Sequence, residues 1–384
     1  MKEVYLDNAA TTKIDPRVFA KMKDFYFNHY GNASSIHFMG QANDLEISQR
    51  KEKIAKIFNG QAEDIVFTGS ATEANNFIIK GVMRANRQKG NHLIVSAIEH
   101  PCVMNSARDL ISEGFEVDFA PVDSRGLIKL DELEKLIRPE TVLVSIMAAN
   151  NEIGVIQDLA EISRLVHSKG AYFHTDAVQA IPYLKIDIKK LNIDYLTISA
   201  HKFYGPLGVG LAFINRKIKI KALITGGGQE NNLRSGTYNM PGIVGLSEAL
   251  LLAYKERASY IKKVKSLRNY LWQRIKKEIP DVVLNGDFVK RTPNNINVLF
   301  RRIEGEAILM DLSFKGICVS TGSACSAVNL KVSSVLRSIG LVEDNLNSNI
   351  RFTLGKYNTK AEIDYTVKCL KETVKRLRAF SPIK

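Results

Sequence analysis

The feature that most limits what this chain can fold into is the alternation of short apolar runs with amphipathic segments between Asp64 and Ile214. Asp64–Thr68, His92–Ser96, Phe115–Phe119, Val142–Met147, Ala171–Phe173 and Tyr195–Ile198 are short, rich in β-formers and bounded by breakers, so each reads as a buried strand. Helical patterns at Cys102–Glu113, Asp131–Ile137 and Asp158–Lys169 separate them, the last stopped by Gly170. Such alternation predicts an α/β fold on a mostly parallel sheet with right-handed crossovers. Ligands in these sheets bind at the carboxyl ends of the strands.

Two strand ends carry the sharpest chemistry. Tyr172-Phe173-His174-Thr175-Asp176 ends in a carboxylate, and the run through Ser199-Ala200-His201-Lys202 ends in an amine. Together they make either a structural ion pair or a bracket for a cofactor. Pyridoxal phosphate needs a lysine for its Schiff base and an acid beside its pyridinium nitrogen. Ser199 and His201 can donate to a phosphate, and Gly205-Pro206-Leu207-Gly208 forms a turn beyond Lys202.

Other polar groups fall on the same edge. Gly69-Ser70-Ala71-Thr72-Glu73 opens a helix, with Ser70 and Glu73 at capping-box spacing. This is an ordinary cap or an anion site, since the first amides of a helix point outward. Glu99-His100-Pro101 and Asn150-Asn151-Glu152-Ile153-Gly154 follow two further strands. A lone histidine is as readily structural as catalytic. No Gly-x-Gly-x-x-Gly and no Walker loop occurs where a nucleotide fold would need one.

Outside this region, Leu6–Thr12 is polar without a regular period, Asp15-Pro16 starts a helix, and another runs over Leu45–Phe58. Gly226–Gly236 is a glycine-rich polar loop, and a long helix carries the chain from Pro241 toward Ile279. Strands Ile296–Phe300, Ile317–Ser320 and Ile350–Leu354 then mix with helices Glu304–Phe314, Ser333–Ile339 and Lys360–Leu377, a smaller α+β lobe.

A chain of 384 residues, 45% hydrophobic and 24% charged, is ordinary for a soluble globular protein. No apolar run reaches a membrane span and the N-terminus lacks a signal-peptide core, so the cytoplasm is expected. The net charge of +14 is dispersed along helical stretches such as Lys255–Lys277 and Lys368–Arg378, which reads as solvated faces rather than a nucleic-acid site. The four cysteines have neither metal-ligand nor disulfide spacing. Cys318 and Cys369 sit in apolar patterns and read as core thiols, Cys102 is ambiguous, and Cys325 stands in the small polar loop Ser320–Ala327.

Nine motifs, taken in order, resemble the NifS/IscS-like cysteine desulfurases of the class-V aminotransferase branch. They are Leu6–Thr12, Ala71-Thr72-Glu73, Glu99-His100, Asn150-Asn151-Glu152, His174–Gln179, Ser199–Lys202, Arg234-Ser235-Gly236-Thr237, Gly322-Ser323-Ala324-Cys325 and Arg351-Phe352. The resemblance implies a fold-type I pyridoxal phosphate enzyme. Its large cofactor-binding domain would span 15–258, and its small domain 1–14 with 259–384, carrying the Cys325 loop. It implies that Lys202 holds the cofactor, Asp176 its pyridinium nitrogen, Gln179 its phenolic oxygen, and that His100 stacks on its ring. Ala71, Thr72, Ser199 and His201 would hold the phosphate, joined by Thr237 from the other subunit of a homodimer. Asn151, also beside the cofactor, and Arg351 would take the carboxylate of L-cysteine, and Cys325 would receive the sulfur. No intrinsic metal site is implied, although Cys325 can contact a transferred iron–sulfur cluster. The acceptor would be a protein such as an iron–sulfur scaffold or a component of tRNA thiolation. Asn231-Asn232 depart from the Arg-Gly common at this place, and the chain ends soon after Phe380. The alternatives are a selenocysteine lyase and an aminotransferase of the same branch.

Overall fold

The computed structural model describes residues 3–322, 333–342 and 346–381. The chain begins with β1 (Val4–Tyr5), α1 (Pro16–Phe27) and α2 (Phe38–Phe58). Asp15 caps α1 by accepting from the Arg17 amide, with Pro16 at the first helical position, as the sequence predicts. Helix α2 starts earlier than the expected Leu45, because His37 caps it through Nδ1 and accepts from Gly40 N at 3.3 Å.

There follow β2 (Ile65–Thr68), α3 (Ala71–Ala85), β3 (His92–Ser96), α4 (Pro101–Ser112), β4 (Glu116–Ala120), α5 (Leu130–Leu136), β5 (Thr141–Ser145), α6 (Leu159–Ser168), β6 (Tyr172–Asp176), α7 (Ile188–Leu191), β7 (Tyr195–Ser199) and β8 (Gly210–Ile214). The seven strands form one sheet in the order β2-β8-β7-β6-β5-β3-β4. All neighbours are parallel except β8, which runs antiparallel to both β7 and β2. The strict alternation expected up to Ile214 fails here for a physical reason. Only residues 200–209 join β7 to β8, too few for the crossover of a dozen or more residues that a parallel partner requires.

The second half comprises α8 (Met240–Glu278), β9 (Val282–Leu284), β10 (Asn295–Phe300), α9 (Gly305–Phe314), β11 (Ile317–Cys318), α10 (Ser334–Ser338), β12 (Asn349–Thr353) and α11 (Lys360–Phe380). A three-stranded antiparallel sheet, β12-β10-β9, packs with α9 and α11, and β1 pairs in parallel with β11. The strand β1 lies just before Leu6–Thr12, the segment read as aperiodic, in which Asp7 makes only an isolated bridge to Thr353. Helix α8 bridges the two cores: Ile243, Leu246 and Leu250 pack under the seven-stranded sheet, and Leu271 and Ile275 under the small one. The lysines at 255, 263, 276 and 368 are exposed on α8 and α11. Among the described residues, no helix is long and apolar enough to cross a membrane.

Strands β5 to β7 are buried on both faces, which suits their continuous apolar reading. On β6 the buried His174 is paired through Nδ1 with Ser145 Oγ at 2.8 Å and through Nε2 with Thr197 Oγ1 at 3.3 Å. Burial holds it neutral, down to about 3. An unfolded histidine takes a proton near 6.5, so below that pH the unfolded chain binds more protons and the fold loses about 1.4 kcal/mol per pH unit from this group. Its contribution is complete above about pH 6.5 and fades toward pH 3. We expect the thermal midpoint to fall on acidification from pH 7 to 4.5, and His174→Gln to make that slope shallower; an unchanged slope would assign acid sensitivity elsewhere.

Candidate active site

The carboxyl ends of β3, β5, β6 and β7, the N-terminus of α3 and the segment before α1 enclose a cavity of about 240 Å³. Its lining includes Ala71, Thr72, His100, Asn151, Asp176, Gln179, Ser199, His201, Lys202 and Arg351. These residues, predicted from strand ends and motifs far apart in sequence, are brought together.

At one end, Ser70 caps α3, its Oγ accepting from Glu73 N at 3.1 Å. The amides of Ala71 and Thr72 belong to the first turn, whose donors the helix itself leaves without acceptors. Strand β8 comes so close that a Cβ on Gly210 would lie 2.6 Å from the Ser70 carbonyl carbon and 2.9 Å from Ala71 N. Only glycine permits this approach, which walls the helix terminus into a cradle. Glu73 does not complete the reciprocal capping box. It accepts instead from Gly69 N at 2.8 Å and from Arg234 Nε at 2.7 Å, tying the loop before α8 to the cradle. Ser199 is buried, and His201 pairs with Thr11 Oγ1 at 3.1 Å. Burial, with Lys202 beside it, pushes His201 down to about 4, so it is neutral.

On the floor, Asp176 is 5% exposed. Its carboxylate accepts from Val178 N at 2.9 Å and from Asn75 Nδ2 at 2.7 Å. Burial raises its pKa, while these hydrogen bonds and the charge of Lys202 oppose the shift. Lys202 Nζ donates to Ala9 O and Ala10 O, both at 2.7 Å, and Gln179 Nε2 donates to Ala9 O at 3.0 Å. His100 caps α4, with Nδ1 accepting from Cys102 N at 3.2 Å and lying 3.0 Å from Cys102 Sγ. This pattern assigns the proton of the neutral ring to Nε2.

At the far end stands Arg351, on a strand buried throughout. Its side chain is only 2% exposed. Nη1 donates to Asn151 O at 2.9 Å, Nη2 to Asp7 Oδ1 at 2.7 Å, and Nε has no acceptor among the described residues. The loop carrying Asn151 is held by Asn295 and Asn297 of β10, both donating to Glu152 O. Glu152 itself is buried and accepts from Ser333 Oγ at 2.6 Å, fixing one flank of the segment that contains Cys325.

Some expectations fall elsewhere. Thr237 is exposed and does not line the cavity of its own chain. Cys325 lies outside the described residues. Cys318, expected in the core, is exposed because β11 is a two-residue edge whose second side chain faces outward; Cys369 is buried. Sequence reasoning missed Asn75, Cys102, Met147, Asp7 and the Ala9 and Ala10 carbonyls. Of these only Asn75 had a signal, sitting three residues beyond Thr72 and so on the same helix face.

Residues 4–366 match the aminotransferase class-V family model. The chain belongs to that family. Within it, the chain is 45% identical over 383 residues to the cysteine desulfurase IscS of Dictyoglomus turgidum, covering 100% of this chain and 97% of that protein. It is 44% identical over 386 residues to human cysteine desulfurase, covering 100% and 84%. A solved NifS-like protein superposes with a TM-score of 0.92 at 40% identity, over 98% of this chain and 100% of the other.

This class-V chain is a pyridoxal phosphate enzyme, and its cavity fits that group. The α3 cradle closed by Gly210 suits a phosphate, Asp176 is a buried carboxylate beside an amine, and His100 and Gln179 line the space between.

Proposed function

We propose that the chain is a pyridoxal phosphate-dependent cysteine desulfurase, converting L-cysteine to L-alanine while its sulfur passes to Cys325. The observation that carries this reading is full-length similarity to cysteine desulfurases, with Lys202, Asp176 and Arg351 around one cavity. When bound, the cofactor supplies an electron-withdrawing ring that stabilises negative charge at the substrate α-carbon.

The residues divide the remaining work. Ala71, Thr72, Ser199 and His201 hold the phosphate, and Asp176 keeps a proton on the ring nitrogen. Gln179 faces the phenolic oxygen. Lys202, besides carrying the cofactor, moves the proton at the α-carbon. His100, which lines the same cavity, would lie against the ring and offer its Nε2 proton. Asn151 and Arg351 orient the cysteine carboxylate, and Cys325 attacks the sulfur as a thiolate, so that the S–S bond forms as the substrate's Cβ–S bond breaks and the electron pair left on the carbon skeleton takes up a proton to give alanine. The large domain, 15–258, supplies the cofactor site, and the small domain, 1–14 with 259–384, supplies Arg351 and Cys325.

Arg351 makes a direct test. Its Nη1 and Nη2 form a fork that lysine cannot reproduce. Arg351→Lys is expected to weaken cysteine binding about tenfold or more, roughly 1.5–3 kcal/mol, with cofactor affinity unchanged. Cysteine titration against the cofactor absorbance reads the first and dialysis the second. Loss of cofactor with unchanged cysteine affinity would reassign the residue.

The working unit in this reading is a homodimer. Tyr26, Phe27, Tyr30, Ile36 and Phe38, from the end of α1 to the start of α2, are 57–91% exposed, and exposed apolar side chains of this kind mark contact surfaces when they cluster. Thr237, exposed in its own chain, completes the partner's phosphate site. Thr237→Ala is expected to weaken cofactor binding on the order of tenfold, and mixing it with Lys202→Ala should restore activity through one intact site per dimer. Light scattering that finds a fully active monomer would contradict this. We place the protein in the cytoplasm, delivering sulfur to an iron–sulfur scaffold or to tRNA-thiolation proteins.

Product analysis tests the activity itself. With L-cysteine and a reducing thiol, alanine and sulfide are expected in equal amounts. A keto acid without sulfide would make it an aminotransferase, and turnover of selenocysteine alone a selenocysteine lyase.

A further inference from the structure

A second cavity, of about 300 Å³, lies where α8 meets the connection between β9 and β10 and shares no lining residue with the first. Its charged lining is cationic: Lys265 and Arg268 from α8, and Arg291 from the connection. No aspartate or glutamate lines it among the described residues.

Arg268 is 2% exposed, and its Nε and Nη1 have no acceptor among the described residues. Its guanidinium stacks over Phe288 at 4.7 Å, which accounts for one face but not for the in-plane donors. Arg291 is 4% exposed and is held by Asp287 O at 2.7 Å, Asn295 Oδ1 at 3.4 Å and Asn285 O. Its partners are all neutral atoms. The Asp287 charge partly offsets the burial of Arg291, but its carboxylate accepts from the amides of Val289 and Lys290 and faces Arg125. Burial pushes Arg268 down to about 10, and burial plus the Arg268 charge pushes Arg291 to about 9, so both remain charged at neutral pH. Asn269 adds a buried Oδ1 without a donor.

Two buried guanidiniums sharing a cavity need an opposite charge, because burial of unpaired charge is strongly unfavourable. Water meets the donors without neutralising the charge. We propose that this cavity is an anion site for a phosphate group, free or as the head of a small phosphomonoester. Three cationic side chains match a dianion better than a carboxylate. The P–OH that the hydrogen phosphate dianion keeps serves Asn269 Oδ1, and Phe288 and Val289 offer an apolar wall to an ester's organic part.

The test uses the cofactor-loaded enzyme, whose first phosphate site is filled. Inorganic phosphate and glycerol 3-phosphate are titrated at fixed ionic strength, and heat of binding and Tm are read. Binding should raise Tm by about 2 °C at roughly ten times Kd. Arg268→Met should lose this response while its Tm without phosphate stays equal or rises, since a buried unpaired charge has gone. Lys265→Ala, an exposed substitution that should fold in any case, should weaken binding roughly three- to tenfold. Equal phosphate responses in wild type and either variant, or no response in wild type, would overturn the proposal.

Discussion

Lys202→Ala is expected to lower alanine formation by about 10³-fold or more while the fold persists. The magnitudes separate the two outcomes. In the folded chain Lys202 Nζ donates to Ala9 O and Ala10 O. Losing those bonds costs about 1–3 kcal/mol, a modest fraction of a domain's stability. Losing the amine removes both the attachment of the cofactor and the group that moves the α-proton. Circular dichroism should therefore be nearly unchanged when activity is gone, and the yellow absorbance of a lysine-bound cofactor, bleached by hydroxylamine in the wild type, should be absent. Undiminished alanine production would remove Lys202 from the reaction.

The second large effect is at Cys325. Cys325→Ser should retain the bound cofactor and its spectral response to cysteine, yet form no persulfide, because serine cannot accept sulfane sulfur. The other three thiols are poor competitors on physical grounds. Cys102 lines the cavity, but burial and the nearby Asp176 charge push its thiol up to about 12, so only about one in 10⁴ is ionised at pH 8. Cys369 is buried, and Cys318, though exposed, is raised by partial desolvation and by Asp7. Alkylation of the wild type should label Cys325 before Cys102 and Cys369. First labelling of Cys102 would name a different nucleophile.

Much of this site was legible in the sequence because a parallel sheet gathers its strand ends. Once Asp176, Lys202, His100 and Asn151 are each placed just beyond a strand, the topology brings them to one edge. Thr72 and Ser70 were legible from helix capping. What the sequence hid depends on contacts with no local signature. Asp7 meets Arg351 across 344 residues, and the Ala9 and Ala10 carbonyls meet Lys202 across more than 190. Backbone acceptors carry no residue-type signal at all. The reversal of β8 followed from a connection length rather than a composition. The burial of Arg351 depended on β12 lying against both β10 and the first residues of the chain, which alternation within one strand cannot reveal.

The most direct test of the central claim is a single turnover with L-cysteine in the absence of reducing thiols, read by mass spectrometry and amino-acid analysis. The account predicts one sulfur atom added to the peptide containing Cys325 for each alanine formed, with none added to Cys102, Cys318 or Cys369. Alanine formed without that persulfide, or sulfur found on any of the other three cysteines, would contradict it.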